Sequence, residues 1–297
     1  MRSNPQETSG SRVRLRYSVQ LRYEVEADAA FHLNVHAAKT TRQIVLEEQF
    51  VVAPAQHWWV DVDPVTRNRI ASFNAPRGSL VVDYEAVVDI EHRIVDPADI
   101  VAEGPAALPV ETLPFMRPSR YCQADLVQQS AWDNFGQLPR GYAQVRAVRD
   151  WVRERLRFKV GTSISTTSVL DTLRDGVGVC RDFAHTMIAY CRALNYPARI
   201  VTAVDYGADP ALGPPDFHAY VEIFVGGSWY IFDPTGISPV TGLIRIGTGR
   251  DAADVSFATL FGPVRAGMPR VCYAPVDDPV SGLALPAATE LAVSTAD

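Results

Sequence analysis

Residues 13–25 read Val-Arg-Leu-Arg-Tyr-Ser-Val-Gln-Leu-Arg-Tyr-Glu-Val, apolar at every odd position and polar at every even one. A strand turns successive side chains to opposite faces, so an alternation of this length specifies a strand with one face on a core and the other in water. Phe31, Leu33, Val35 and Ala37 continue the pattern, residues 44–52 follow it, and Leu80, Val82, Tyr84, Ala86, Val88 and Ile90 repeat it. No helical period intervenes. Residues 12–93 are therefore expected to form an antiparallel β-sandwich domain.

Prolines 97, 105, 109, 114 and 118 then remove backbone donors and fix φ, which makes residues 94–115 a linker. Beyond it the period changes. Val145, Val148, Val152 and Leu156 stand at helical spacing, 122–135 and 166–174 are weaker helix candidates, and 180–194 reads as a mostly apolar helix stopped near Asn195-Tyr196-Pro197. Strands return at 198–206, 217–225 and 228–234, with shorter ones to about 274. Helices followed by a sheet give an α+β second domain over 116–275. Residues 276–297, rich in Ala, Pro and small polar side chains, are expected to be a loose tail.

With 28 basic against 34 acidic residues and no Lys/Arg run, the chain offers no footprint for nucleic acid. It has no apolar stretch of about 18 residues to span a membrane. Its N-terminus is polar, without the apolar core of a secretion signal, so a cytoplasmic protein with reduced thiols is expected. The cysteines, Cys122, Cys180, Cys191 and Cys272, include no CxxC pair, and no motif for a metal or other cofactor is expected. Asp205, Asp209 and Asp216 flank a Gly/Pro-rich loop that lacks an EF-hand pattern and reads as solvated. Trp58-Trp59 reads as core packing.

Two segments carry chemistry. In Gly176-Val177-Gly178-Val179-Cys180-Arg181-Asp182-Phe183-Ala184-His185, two glycines punctuate the chain just before the apolar helix, which puts Cys180 in or near its first turn. Unpaired N–H groups there favour negative charge on sulfur and on an oxyanion formed beside it. Cys191, mid-helix on an apolar face, reads instead as core. In Asp216-Phe217-His218-Ala219-Tyr220-Val221-Glu222-Ile223-Phe224-Val225-Gly226-Gly227-Ser228-Trp229-Tyr230-Ile231-Phe232-Asp233-Pro234, two strand-like runs flank Gly-Gly, a hairpin signal. A two-residue turn sets Val225 opposite Ser228 and Asp233 opposite Tyr220. His218 and Asp233 then share a face as diagonal neighbours, roughly 7–8 Å apart at the backbone. Nucleophile, base and orienting carboxylate are all present. Asp182 and His185, at i and i+3 on the helix start, and Tyr220, two residues past the histidine, are candidates for a supporting role.

These runs, with Gly249-Arg250-Asp251-Ala252-Ala253-Asp254-Val255 and Pro118-Ser119-Arg120-Tyr121-Cys122, resemble the bacterial transglutaminase-like superfamily over about residues 116–262. The resemblance implies a papain-like core in which Cys180 is the nucleophile, His218 the base and Asp233 the orienter, behind a β-rich N-terminal domain. Tyr220 departs from the family, where Trp is common, and that bears on cleft shape. The expected function is formation of an acyl-enzyme from a peptide or side-chain amide, with hydrolysis favoured over transfer to an amine. The alternative is a catalytically silent binding or scaffold module on the same fold.

Overall fold

A computed structural model describes residues 8–209, 211, 213–276 and 282–296. The alternating segment lies in β1, Thr8–Val25, and β2 (Ala29–Leu33), β3 (Gln43–Ala53), β4 (Trp58–Val62), β5 (Arg69–Ala75) and β6 (Gly78–Val95) follow without a helix between them. β1 and β6 pair antiparallel, with Leu15 opposite Val88, Val19 opposite Tyr84 and Leu21 opposite Val82. The odd side chains of β1 from Val13 to Val25 are all buried. Full burial of such a side chain stabilises by about 1.5–3 kcal/mol, so the pairing register and the core select one another. β3 takes the other edge of β6, while β2, β5 and β4 make a second sheet. The two sheets share a core: Tyr23 of β1 meets Phe31 of β2 edge-on at 5.2 Å, and Phe31 stacks on Phe73 at 4.9 Å. Trp58 and Trp59 do not join that core as expected. β4 is an edge strand, and the two rings are 37% and 44% exposed.

After short 3-10 turns at Pro97–Asp99, Pro105–Ala107 and Val110–Met116 come α1 (Gln128–Phe135), α2 (Tyr142–Arg155), β7 (Arg157–Phe158), α3 (Val169–Asp175), β8 (Val177–Gly178) and α4 (Cys180–Ala193). β9 (Ala198–Asp205), β10 (Phe217–Val225), β11 (Ser228–Phe232) and β12 (Leu243–Gly249) form an antiparallel sheet in the order β11-β10-β9-β12. Gly226 and Gly227 turn between β10 and β11 with φ of +61° and +76°. Two consecutive positive φ values make the turn that matches strand twist and that only glycine enters freely. It sets Val225 opposite Ser228 and Val221 opposite Phe232, the register anticipated from the sequence. Ala219, Val221, Ile223, Tyr230 and Phe232 pack with Ala184, Ile188 and Cys191 of α4 in one core. The helix is buried nearly all round, because α1, α2 and α3 cover the sides the sheet does not.

The distal segments depart from the expected boundaries. β13 (Ala258–Phe261) pairs with β2, and β14 (Val264–Ala266) and β15 (Arg270–Pro275) pair with β1. Residues 258–275 thus complete the two N-terminal sheets rather than the second domain. In the expected tail, β16 (Ala292–Ser294) pairs with β6. Ala292 enters the core under α4, and Val293 packs with Tyr220 and Ile231 on the opposite face of the sheet. Val204, Ile244 and Ile246 of β9 and β12 lie in the core of the sandwich, so the two halves share an apolar boundary.

Candidate active site

Cys180 is the first residue of α4 and is half-buried. What holds that turn is Asp182. Its Oδ2 accepts the Val179 N–H at 2.9 Å, and its Oδ1 accepts the Ser163 hydroxyl at 2.9 Å. The carboxylate fits only because residue 178 is glycine: a Cβ there would stand 2.7 Å from the Asp182 Cβ. The N–H groups of Asp182 and Phe183 donate to Val179 O at 2.9 and 3.2 Å, so the donors that the helix start offers beside the sulfur are those of Cys180 and Arg181. The preceding strand is secured as well, since Lys159 N–H donates to Gly178 O at 2.9 Å, and Arg181 donates to Ile164 O at 2.7 Å.

His218, on β10, is 2% exposed. Its Nε2 lies 3.2 Å from Asp233 Oδ2. Burial opposes charge on this ring, but Asp233, through its charge and its hydrogen bond, and then Cys180 outweigh burial and hold the imidazole pKa well above its usual value. Asp233 follows β11 directly. Burial would raise its pKa, but His218 and Thr235 prevail and keep the carboxylate ionised below its ordinary range. Oδ1 of Asp233 accepts both the Thr235 N–H at 2.8 Å and the Thr235 hydroxyl at 2.6 Å, which leaves Oδ2 for the imidazole. Arg153 of α2 donates to Asp233 O at 2.9 Å and clamps the turn from outside. The structure thus brings Cys180, His218 and Asp233 together from a helix start and two neighbouring strands.

The three residues expected in support are distributed differently. Asp182 shapes the turn under Cys180. His185 faces away from the imidazole: its Nε2 accepts the Ala252 N–H at 3.1 Å, its ring stacks on Tyr121 at 5.1 Å, and burial lowers its pKa to about 3, so it is neutral. It fastens α4 to the 251–253 turn. Tyr220 is fully buried among Val201, Ala203, Ile231 and Val293 and serves as core. Thr235 and Arg153 were not singled out as site residues. The Asp-Pro-Thr string did signal a side-chain-capped turn at Thr235, whereas nothing local marks Arg153. Asp205, which flanks the loop that reads as solvated, is 4% exposed, and its Oδ2 lies 3.6 Å from His218 Nδ1. Among the described residues no group of three or more His, Cys, Asp or Glu is arranged to hold a metal ion. No helix among them is long and apolar enough to cross a membrane.

Comparison with known proteins shows the family of the chain. The transglutaminase-like superfamily matches residues 133–234, a span containing Cys180, His218 and Asp233. The N-terminal domain of bacterial transglutaminases matches residues 13–108. A crystal structure of a candidate cysteine protease from Cytophaga hutchinsonii is 34% identical and superposes with a TM-score of 0.87, covering 96% of this chain and 98% of the other. An uncharacterised protein of Mycobacterium leprae is 28% identical over 269 residues, covering 82% of this chain and 91% of its own.

Proposed function

This chain belongs to the transglutaminase-like superfamily, and from that premise we propose that it is a thiol enzyme that forms an acyl-enzyme on Cys180 from a peptide or side-chain amide. The observation that carries the reading is the buried imidazole of His218, held between the Cys180 thiol and Asp233 and kept readily protonated by them. Nothing in folding calls for that trio. A buried imidazolium costs stability unless paired, and Asp233 pairs it through Nε2, which leaves the other ring nitrogen for a reaction.

In the proposed reaction Nδ1 of His218 takes the thiol proton, and Sγ attacks the amide carbon. The carbonyl electrons move onto oxygen, and the N–H groups at the start of α4 stabilise that charge. The tetrahedral adduct collapses to a thioester as the C–N bond breaks, and the Nδ1 proton passes to the departing amine. His218 then deprotonates a water, which attacks the thioester; collapse releases the carboxylic acid and returns the proton to Sγ. Asp233, on Nε2, keeps the ring in the tautomer and orientation these transfers need. The cysteine-protease description of the Cytophaga relative supports hydrolysis over transfer to an amine. The four unpaired cysteines support a reducing, cytoplasmic setting for such a thiol.

Peptide mapping after brief iodoacetamide treatment at neutral pH tests the reading. Cys180 should label well ahead of Cys272, although Cys272 is the more exposed, because the imidazole activates only the former. Cys122 and Cys191 should stay unlabelled, since burial pushes the Cys122 thiol up to about 12 and Cys191 higher still. Labelling ordered by exposure alone, with Cys272 first, would instead indicate a silent module on this fold.

A further inference from the structure

The imidazole of His218 has a carboxylate on each side. Asp233 occupies the Nε2 side at 3.2 Å, and Asp205, the last residue of β9, stands 3.6 Å from Nδ1, the nitrogen that takes the thiol proton in the proposed reaction. Asp205 is 4% exposed, and no Lys or Arg pairs with it among the described residues. Among the described residues His218 is its one ion-pair partner, and beyond that its charge is met by its own backbone N–H. A buried carboxylate with so little compensation is costly to the fold, and such costs gather where charge has a task. We propose that Asp205 is a second positioning carboxylate of the site, which holds the imidazolium of His218 from the thiol side and sets the pH range over which the thiolate–imidazolium pair exists.

The inference rests on the acyl-enzyme reading of Cys180. Asp205 supplies charge and gives up no proton in the reaction. Burial, partly offset by His218, raises its carboxyl to about 6, so the charge is fully present only above that pH. The other groups around the pair are Cys180 at the start of α4, Asp233 after β11, Asp216 just ahead of β10, and Tyr273 of β15, which feels the Asp205 charge. Asp216, also raised by burial, adds to the negative field. None of them reproduces a carboxylate on the Nδ1 edge. An opposite charge within about 4–6 Å shifts a pKa by about 1–3 units, so loss of Asp205 should lower the pKa of the imidazolium by about one unit or more.

The test compares the parent with Asp205→Asn and Asp205→Glu, and with Asp205→Ala should the Asn chain fail to fold. Two readings are taken across pH 5–10: the titration of His218 by NMR of isotope-labelled histidine, and the rate of Cys180 alkylation by iodoacetamide. The expected result is a His218 midpoint, and an alkaline change in Cys180 reactivity, at least about one pH unit lower in the neutral variant. Asp205→Glu, which restores the charge, should return both most of the way. An unmoved midpoint in the neutral variant overturns the proposal, as does Asp205→Glu behaving like the neutral variant. Failure of the underlying reading looks different: the parent's Cys180 reactivity would then be indifferent to His218→Ala.

Discussion

Replacing Asp182 with Ala probes how the sequence Gly178-Val179-Cys180-Arg181-Asp182 builds the turn under the sulfur. The side chain is 1% exposed and accepts from Val179 N–H and Ser163 Oγ, each at 2.9 Å. Losing the cap costs about 1 kcal/mol. Leaving a donor unsatisfied in the interior adds about 1–3 kcal/mol. The expected loss is about 2–4 kcal/mol, which for a chain of this length lowers Tm by about 3–6 °C. Asp182→Asn keeps the shape and one acceptor but turns an NH2 toward a donor, so its loss should be smaller. Because the turn carries Sγ, amide acylation should fall further than stability alone explains, since a displacement of about 1 Å at a reacting atom costs about 100-fold. Thermal unfolding by circular dichroism and single-turnover acylation are the assays. Asp182→Ala melting within about 1 °C of the parent and acylating at the parent rate would refute the reasoning.

Burial lowers the pKa of His36 and of His92 to about 4 and of His185 to about 3. The unfolded chain therefore binds more protons than the fold below pH 6.5, and stability should drain away as pH falls from about 6.5 toward 4. At about 1.4 kcal/mol per unit, His92 alone accounts for about 3 kcal/mol, while Asp205, raised to about 6, offsets part of the loss. Urea midpoints should be clearly lower at pH 5 than at pH 7.5, and equal midpoints would contradict the buried neutral histidines. His218→Ala should nearly abolish amide acylation. Asp233→Asn should slow it by up to about 10⁴, the value for a serine triad, and by less here because a thiolate is the stronger nucleophile. The double variant should match His218→Ala rather than the product of the two losses, as rapid-quench acylation would show. Arg192, buried, donates to Ala198 O at 2.8 and 3.1 Å, Arg117 O at 2.9 Å, Ser119 Oγ at 2.9 Å and Arg250 O at 2.5 Å. Arg192→Met should lower stability by about 5 kcal/mol, at about 1 kcal/mol per lost bond, and a denaturation midpoint equal to the parent's would count against that clamp.

Where the sequence was legible, the determinants are local. The alternation of β1 survives intact because a period of two has one structural solution when half the side chains must be buried. The β10–β11 register follows from Gly226-Gly227, and with it His218 and Asp233 come onto one face. Cys180 at a helix start follows from the glycines before it and the apolar run after it. What the sequence concealed depends on pairing between distant segments. Asp205 meets His218 only because β9 and β10 pair with Ala203 opposite His218, across a loop whose length reveals no register. β13, β14 and β15 are too short to show a period, and their partners lie more than two hundred residues upstream. Ala292 and Val293 are small side chains whose burial follows from a groove the rest of the chain builds. His185 reads as a supporting residue because it stands i, i+3 from Asp182 at the start of the helix, yet its side chain turns toward Tyr121.

The central claim is that Cys180 becomes acylated by an amide with His218 as the proton carrier. The most direct measurement is intact-mass spectrometry of the protein quenched in acid within seconds of mixing with a peptide amide library, followed by peptide mapping of the adduct. The account predicts an acyl mass on the Cys180 peptide, discharged by water on longer incubation, absent from Cys180→Ala and strongly reduced in His218→Ala. An adduct on another residue, or an acylation rate in His218→Ala equal to the parent's, would contradict it.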